Sequence, residues 1–144
     1  MKNTLSLEIA SLPENVGVAR VTLAAFAALD SFSVAEIEEI KVAVSEAVTN
    51  AVVHGYRDRP GVVMLRAELE NGRLCIVVED TGVGIENIEQ ARKPAFSTDP
   101  ERMGLGFVFM ESFMDELEVV SAPGAGTRVR MTKTAARHEV REGE

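Results

Sequence analysis

Three polar clusters in this sequence fall where a packed core would place apolar side chains. The first lies in the run SEAVTNAVVHGY, where Glu46, Asn50 and His54 recur every four residues. On a helix that spacing sets all three along one side, with Ser45 and Thr49 beside them, opposite Ile37, Ile40, Val44, Val48 and Ala51. Such groups can move protons and ligate cations, and the same spacing also suits a solvated polar face. The second cluster is Asp80-Thr81-Gly82-Val83-Gly84. Asp80 shares strand parity with Leu74, Ile76 and Val78, and an ionised carboxylate continuing a core-facing row is costly unless something bonds to it. An acceptor there suits a ligand's N–H group, such as an adenine amine; a turn-forming aspartate with two glycines for positive φ would look the same.

The third cluster is Met103-Gly104-Leu105-Gly106-Phe107, just ahead of a helix. Glycines at a helix start let phosphate oxygens approach the backbone N–H groups and the positive end of the dipole. Glycine is also an ordinary N-cap. A softer signal is Thr127, which shares parity with Val129 and Met131 and so turns a hydroxyl inward.

Four separated segments must be brought together by the elements between them. Thr4 to Ala10 alternates as a half-buried strand, and Pro13 fits the first turn of a helix to about Leu29. Ser33 and Glu36 form a capping box that opens a long helix to about His54, stopped at Gly55. Val62–Glu70 and Arg73–Asp80 read as strands joined by the hairpin signal Asn71-Gly72. A glycine-rich loop to Gly84, a short helix to about Arg92 and an irregular stretch from Lys93 to Met103 follow. A helix is expected from about Gly104 to Met114, then strands near Glu116–Ser121 and Thr127–Lys133, joined by Pro123-Gly124-Ala125-Gly126. The expected fold is α+β: a two-layer sandwich, with helices covering one face of a mostly antiparallel sheet. Residues 1–133 read as one domain and 134–144 as a flexible C-terminal tail.

Composition narrows the function. With 144 residues, 46% of them apolar, the chain can build one real core. Fifteen Lys and Arg against 23 Asp and Glu give a net charge of −8, which argues against binding nucleic acid through its phosphates. The single cysteine, Cys75, cannot close an intramolecular disulfide and reads as inert packing. No long apolar run suggests a signal peptide or a membrane span, so a cytoplasmic protein is expected.

Taken in order, the helix with Glu46 and Asn50, the DTGVG box, the GLGF box and the late Gly-Thr resemble the GHKL nucleotide-binding fold. That superfamily includes gyrase-type ATPases, Hsp90-type chaperones, MutL-type repair proteins and histidine kinases. The resemblance spans about Leu5 to Lys133. The length leaves no room for a phosphoacceptor helix pair or a transducer domain, which directs the expectation to the stand-alone anti-sigma factor serine kinases of Gram-positive bacteria. IKVAVSEAVTNAVVHGY, GLGFVFMESFMD and ENVGVARVTLAAF look like that branch. The intact DTGVGI box is more similar to its sporulation, sigma-F-directed group than to its stress-response, sigma-B-directed group.

The resemblance implies a homodimer that binds ATP and Mg²⁺, holds a sigma factor away from RNA polymerase and phosphorylates a serine of an anti-anti-sigma factor. A non-catalytic module that uses ATP only to sequester sigma is the alternative. Within the implied site Glu46 is the catalytic base and Asn50 the Mg²⁺ ligand. Asp80 reads the adenine amine, with Gly82 and Gly84 giving the backbone room and Thr127 supporting the same edge. Gly104, Leu105 and Gly106 offer amides to the phosphates. Lys93–Met103 would be a lid, with Lys93 or Arg102 adding charge near the γ-phosphate. Arg20, the only basic residue between Pro13 and Leu29, reads as a partner-docking anchor rather than a snorkelling surface arginine. His54 reads as a helix-end residue, and Met103, Met110 and Met114 as packing.

Overall fold

Leu5, Leu7 and Ile9 turn to the core side of an edge strand, β1 (Asn3–Ala10), as their alternation requires. The computed structural model describes residues 1–56, 60–85, 87–92 and 101–136. After β1 come α1 (Asn15–Ala27), α2 (Val34–Thr49) and a π-helical turn (Asn50–Gly55). The chain then forms β2 (Val62–Glu70), β3 (Arg73–Asp80), α3 (Ile88–Ala91), α4 (Glu101–Phe113), β4 (Glu116–Ala122) and β5 (Gly126–Thr134).

The strands form one antiparallel sheet in the order β1-β2-β3-β5-β4. Asn71 and Gly72 take φ of 50° and 75°, the left-handed pair that a two-residue hairpin needs, and this fixes the β2–β3 register. Val63, Leu65, Leu74, Ile76, Val129 and Met131 point from the sheet into the core, against Leu23 and Phe26 of α1, Ile40, Val44 and Val48 of α2, and Phe107 and Met110 of α4. The opposite face carries ion pairs such as Arg66–Glu79 and Arg73–Glu116. The two-layer α+β sandwich expected from the sequence is the architecture observed.

α2 lies between α1 and α4 and carries the first polar cluster. Its start is the reciprocal capping box: Glu36 N–H donates to Ser33 Oγ at 3.1 Å and Ser33 N–H to Glu36 Oε1 at 2.8 Å. Beside this start Lys133, buried in β5, pairs with Glu39 at 3.5 Å and donates to the Phe113 carbonyl at 2.6 Å. It caps α4 with positive charge where the dipole is negative.

Three local expectations need correction. α1 begins at Asn15, two residues past Pro13, because the chain first makes a tight turn in which Asn15 N–H bonds the Leu12 carbonyl. The long helix does not stay α-helical to His54; its last turn widens into a π-turn, with Tyr56 N–H reaching the Ala51 carbonyl. α4 is already helical at Glu101, three residues ahead of the expected start at Gly104. The expected lid falls largely on residues 93–100 and the expected tail mostly on 137–144, outside the described residues.

Replacing Ser33 with Ala removes the acceptor for an N-terminal amide of α2. The expected cost is about 1 kcal/mol of stability, read as a lower denaturant midpoint with an unchanged slope.

Candidate functional site

The π-turn, the end of β3 and the start of β5 enclose a cleft lined by Asn50, His54, Asp80 and Thr127, with Val78, Phe107 and Val129 as its apolar wall. The polar side chains there are not a solvated face. Asn50 is 9%, His54 5% and Asp80 9% exposed.

Asp80 continues the core-facing row of β3 into this cleft. Its Oδ1 accepts the Gly82 N–H at 2.9 Å, and the Thr127 N–H also bonds its carboxylate. Burial pushes the Asp80 carboxyl above the usual carboxylate range, and the two backbone donors pull only part of the way back. The surrounding backbone is pressed close. A Cβ on Gly55 would fall 2.8 Å from Asp80 Oδ1, and one on Gly82 only 1.9 Å from the Gly55 carbonyl oxygen. Gly84, with φ of +77°, sits where a Cβ would lie 2.0 Å from the Ala122 carbonyl oxygen. The glycine box is therefore a packing requirement of this corner.

The first cluster divides at the π-turn. Asn50 begins the turn and is buried in the cleft. Its Nδ2 is the one buried side-chain polar atom without a hydrogen-bond partner among the described residues. A buried donor left unsatisfied costs about 1–3 kcal/mol, a pattern expected at a ligand site. Glu46, one turn earlier and half-buried, does not line the cleft wall but lies against α4. A Cβ on Gly106 would fall 2.8 Å from Glu46 Oε2 and 3.6 Å from Asn50 Oδ1. Gly106 thus lets α4 close onto Glu46 of α2 and Asn50 of the π-turn. Because α4 is already helical at Glu101, Gly104, Leu105 and Gly106 lie inside it, and the amides of Leu105 and Gly106 belong to its helical ladder. Glu101, Arg102 and Met103 are placed in the helix backbone, and the position of the Arg102 side chain lies outside the description.

Thr127 faces Asp80 across the β3–β5 ladder, and its hydroxyl lies 2.8 Å from Ser121 Oγ. Arg20 is half-buried and donates to Ser45 Oγ at 3.3 Å, so α1 is tied to the turn of α2 that bears Glu46. His54 is in the last turn of the π-segment and lines the cleft. Cys75 is partly exposed on the sheet face away from the helices, whereas Met110 and Met114 pack in the core.

Two residues escaped the sequence reading. Tyr56 O–H donates to the Val62 carbonyl at 2.7 Å and accepts the Thr81 N–H at 2.8 Å, which clamps the π-turn to β2 and to the glycine box. Gly61 makes this possible, since a Cβ there would fall 2.2 Å from the tyrosine ring. Ser121 accepts the Ile85 N–H at 2.7 Å and so anchors the other end of the same loop. The only local signal was a lone tyrosine immediately after the helix-ending glycine.

Comparison with known proteins matches residues 9–133 to the model of a histidine kinase-like ATPase domain. An anti-sigma F factor of Thermoanaerobacter pseudethanolicus is 48% identical over 133 residues, covering 91% of this chain and 93% of that protein. An anti-sigma F factor of Clostridium acetobutylicum is 46% identical over 138 residues, covering 94% and 96%. Among solved structures, the histidine kinase domain of the Erythrobacter litoralis blue-light activated histidine kinase matches with a TM-score of 0.57 and 26% identity. It covers 89% of this chain, which spans 63% of that one. The RsbU and RsbW domains of a Mycobacterium tuberculosis protein share the fold with a TM-score of 0.62 at 21% identity; this chain spans 33% of that one.

The environment of Asp80 sets a sign for its effect on stability. The carboxyl titrates at its ordinary value in the unfolded chain and higher in the folded one, so stability falls as pH rises through that window. Asp80→Asn is expected to melt at higher temperature than the wild type at neutral pH. The difference should vanish below the ordinary carboxylate range, as paired thermal melts across pH would show.

Proposed function

The chain belongs to the histidine kinase-like ATPase domain family, in the branch of the anti-sigma F factors, and from that premise we propose that it is a Mg-ATP-dependent anti-sigma factor. In this reading it binds a sigma factor of the sigma-F type and keeps it from RNA polymerase. It also transfers the γ-phosphoryl group of ATP to a serine of its anti-anti-sigma factor, and works in the cytoplasm as a homodimer. One observation carries the nucleotide assignment: Asp80 and the unpartnered Asn50 amide are buried in the same cleft. A fold that only needed stability would place neither there.

The roles follow from the groups present. Asp80, an acceptor, receives an N–H of the adenine amine, while Val78, Phe107 and Val129 give the base an apolar wall. Gly82 and Gly84 keep side chains out of that corner, and Thr127 supports the same edge. Asn50 fits a place between phosphate and cation. Its Nδ2 can donate to a phosphate oxygen, and its carboxamide oxygen is the hard, neutral ligand that Mg²⁺ accepts. Among the described residues no group of three His, Cys, Asp or Glu could hold a metal, so such an ion would take its other ligands from phosphates and water. When bound, Mg²⁺ neutralises charge on the phosphates. Glu46, one turn before Asn50, accepts the proton of the substrate serine as its oxygen bonds to the γ-phosphorus and the bond to the departing ADP breaks. Gly104–Gly106 offer amides to the phosphates once the first turns of α4 open.

Glu46→Gln is expected to retain ATP affinity and to lose phosphoryl transfer to the anti-anti-sigma factor by about 10²-fold or more. Binding titrations alongside transfer from γ-labelled ATP would check this. ATP-dependent sigma binding with no transfer by the wild type would point to the non-catalytic module instead.

Arg20 is the proposed sigma-docking anchor. Arg20→Ala should weaken sigma binding by about tenfold or more while leaving ATP affinity unchanged, and full retention of sigma affinity in a pull-down titration would remove that role.

A further inference from the structure

Ser121, near the end of β4, is a half-buried serine that the proposed chemistry does not use. Its Oγ accepts from the Ile85 N–H at 2.7 Å, donates to the Gly126 carbonyl at 2.9 Å and lies 2.8 Å from Thr127 Oγ1. A hydroxyl has one proton, and a carbonyl oxygen can only accept. The Ser121 proton is therefore committed to Gly126, and the contact between the two hydroxyls must be donated by Thr127. Thr127 Oγ1 is left with lone pairs alone.

This matters because Thr127 and Asp80 are register partners that line the same cleft. An ionised carboxylate is also an acceptor only. Two adjacent acceptors favour a ligand edge that carries an amine and oppose one that carries a carbonyl oxygen, since facing lone pairs leave both sides unsatisfied. We infer that Ser121 is a specificity-determining positioning residue, which fixes the Thr127 hydroxyl as an acceptor and so makes this corner select amino-substituted over oxo-substituted purines. The inference rests on the reading of the cleft as a purine-nucleotide site. In Ser121→Ala the Thr127 proton is released and can turn towards a carbonyl oxygen.

The test is the ratio of affinities for ATP and inosine triphosphate. Adenine carries an amine at C6 and a bare acceptor at N1, hypoxanthine a carbonyl at C6 and an N–H at N1. A preference for ATP therefore reports that the two acceptors of the corner meet the 6-substituent. The wild type should prefer ATP. Ser121→Ala should lower that preference by about tenfold, the worth of one well-made hydrogen bond, whereas Ser121→Thr, which keeps the hydroxyl, should preserve it. Loss of the Ile85 anchor would weaken both nucleotides together and leave the ratio unmoved. An unchanged ratio in Ser121→Ala, or no preference in the wild type, overturns the inference. Thr127→Val keeps Ser121 and both its backbone bonds and should also lower the ratio; an unchanged ratio there overturns the inference even if Ser121→Ala fails to fold. Wild-type protein that binds neither nucleotide overturns the purine-site reading itself, a result distinct from equal binding of both.

Discussion

Burying the Asp80 carboxylate is the constraint around which this end of the molecule is organised. A carboxylate at 9% exposure has to be met by donors, and two backbone N–H groups, from Gly82 and Thr127, meet it. To bring them there, the loop after β3 must double back at once and β5 must start level with the end of β3. Both demands remove side chains. Gly55 has none because one would strike Asp80 Oδ1, and Gly126 has none because one would lie 2.1 Å from the Asp80 carbonyl oxygen. The net effect on the carboxyl is still unfavourable to its charge. The fold holds an acceptor in the cleft at a cost to its own stability, as sites with a use for such a group do.

The π-turn at the end of α2 is the second device. An α-helix continued to Gly55 would keep Glu46, Asn50 and His54 on one stripe. Widening the last turn breaks that stripe: Asn50 and His54 are buried in the cleft, while half-buried Glu46 faces Gly106 of α4. A widened turn needs something to hold it, and Tyr56 does so through its bonds to Val62 and to the Thr81 N–H. The tyrosine joins three segments that the sequence separates, and it positions the glycine box from the side opposite Ser121.

What the sequence revealed follows the range of the forces involved. The capping box at Ser33 and the Asn71-Gly72 hairpin are decided by residues within a few positions of each other, and both stand as expected. The parity that put Asp80 among Leu74, Ile76 and Val78 is equally local and placed the carboxylate on the buried side. The π-turn was not legible, because the i, i+4 spacing of Glu46, Asn50 and His54 is what an ordinary helix shows. Its cause lies in Tyr56, Val62 and Thr81. The start of α4 was misplaced for another reason. The GLGF glycines read as a helix start, whereas they lie within the helix and Gly106 admits Glu46 of α2, a tertiary demand with no local signature. Ser121 carried no signal, since its three contacts come from the turn, the loop and the next strand.

Arg20 shows how a local reading can be incomplete without being displaced. As the lone basic residue of an apolar helix it looked like a group waiting for a partner, yet it already has one in Ser45, which in turn donates to the Lys41 carbonyl. Gly17, one turn earlier, leaves it room: a Cβ there would sit 3.3 Å from Arg20 Nη2. Any partner that took the guanidinium would compete with a hydrogen bond at 3.3 Å, towards the long end of the useful range and part-exposed, and so cheaply replaced. Ser45 directly precedes Glu46, so the same arginine that offers a positive group on an acidic protein is held by the turn that carries the proposed base. The proposed docking and the proposed chemistry thus share one stretch of α2, and a change in how Arg20 is held acts on the neighbour of Glu46 without crossing the core.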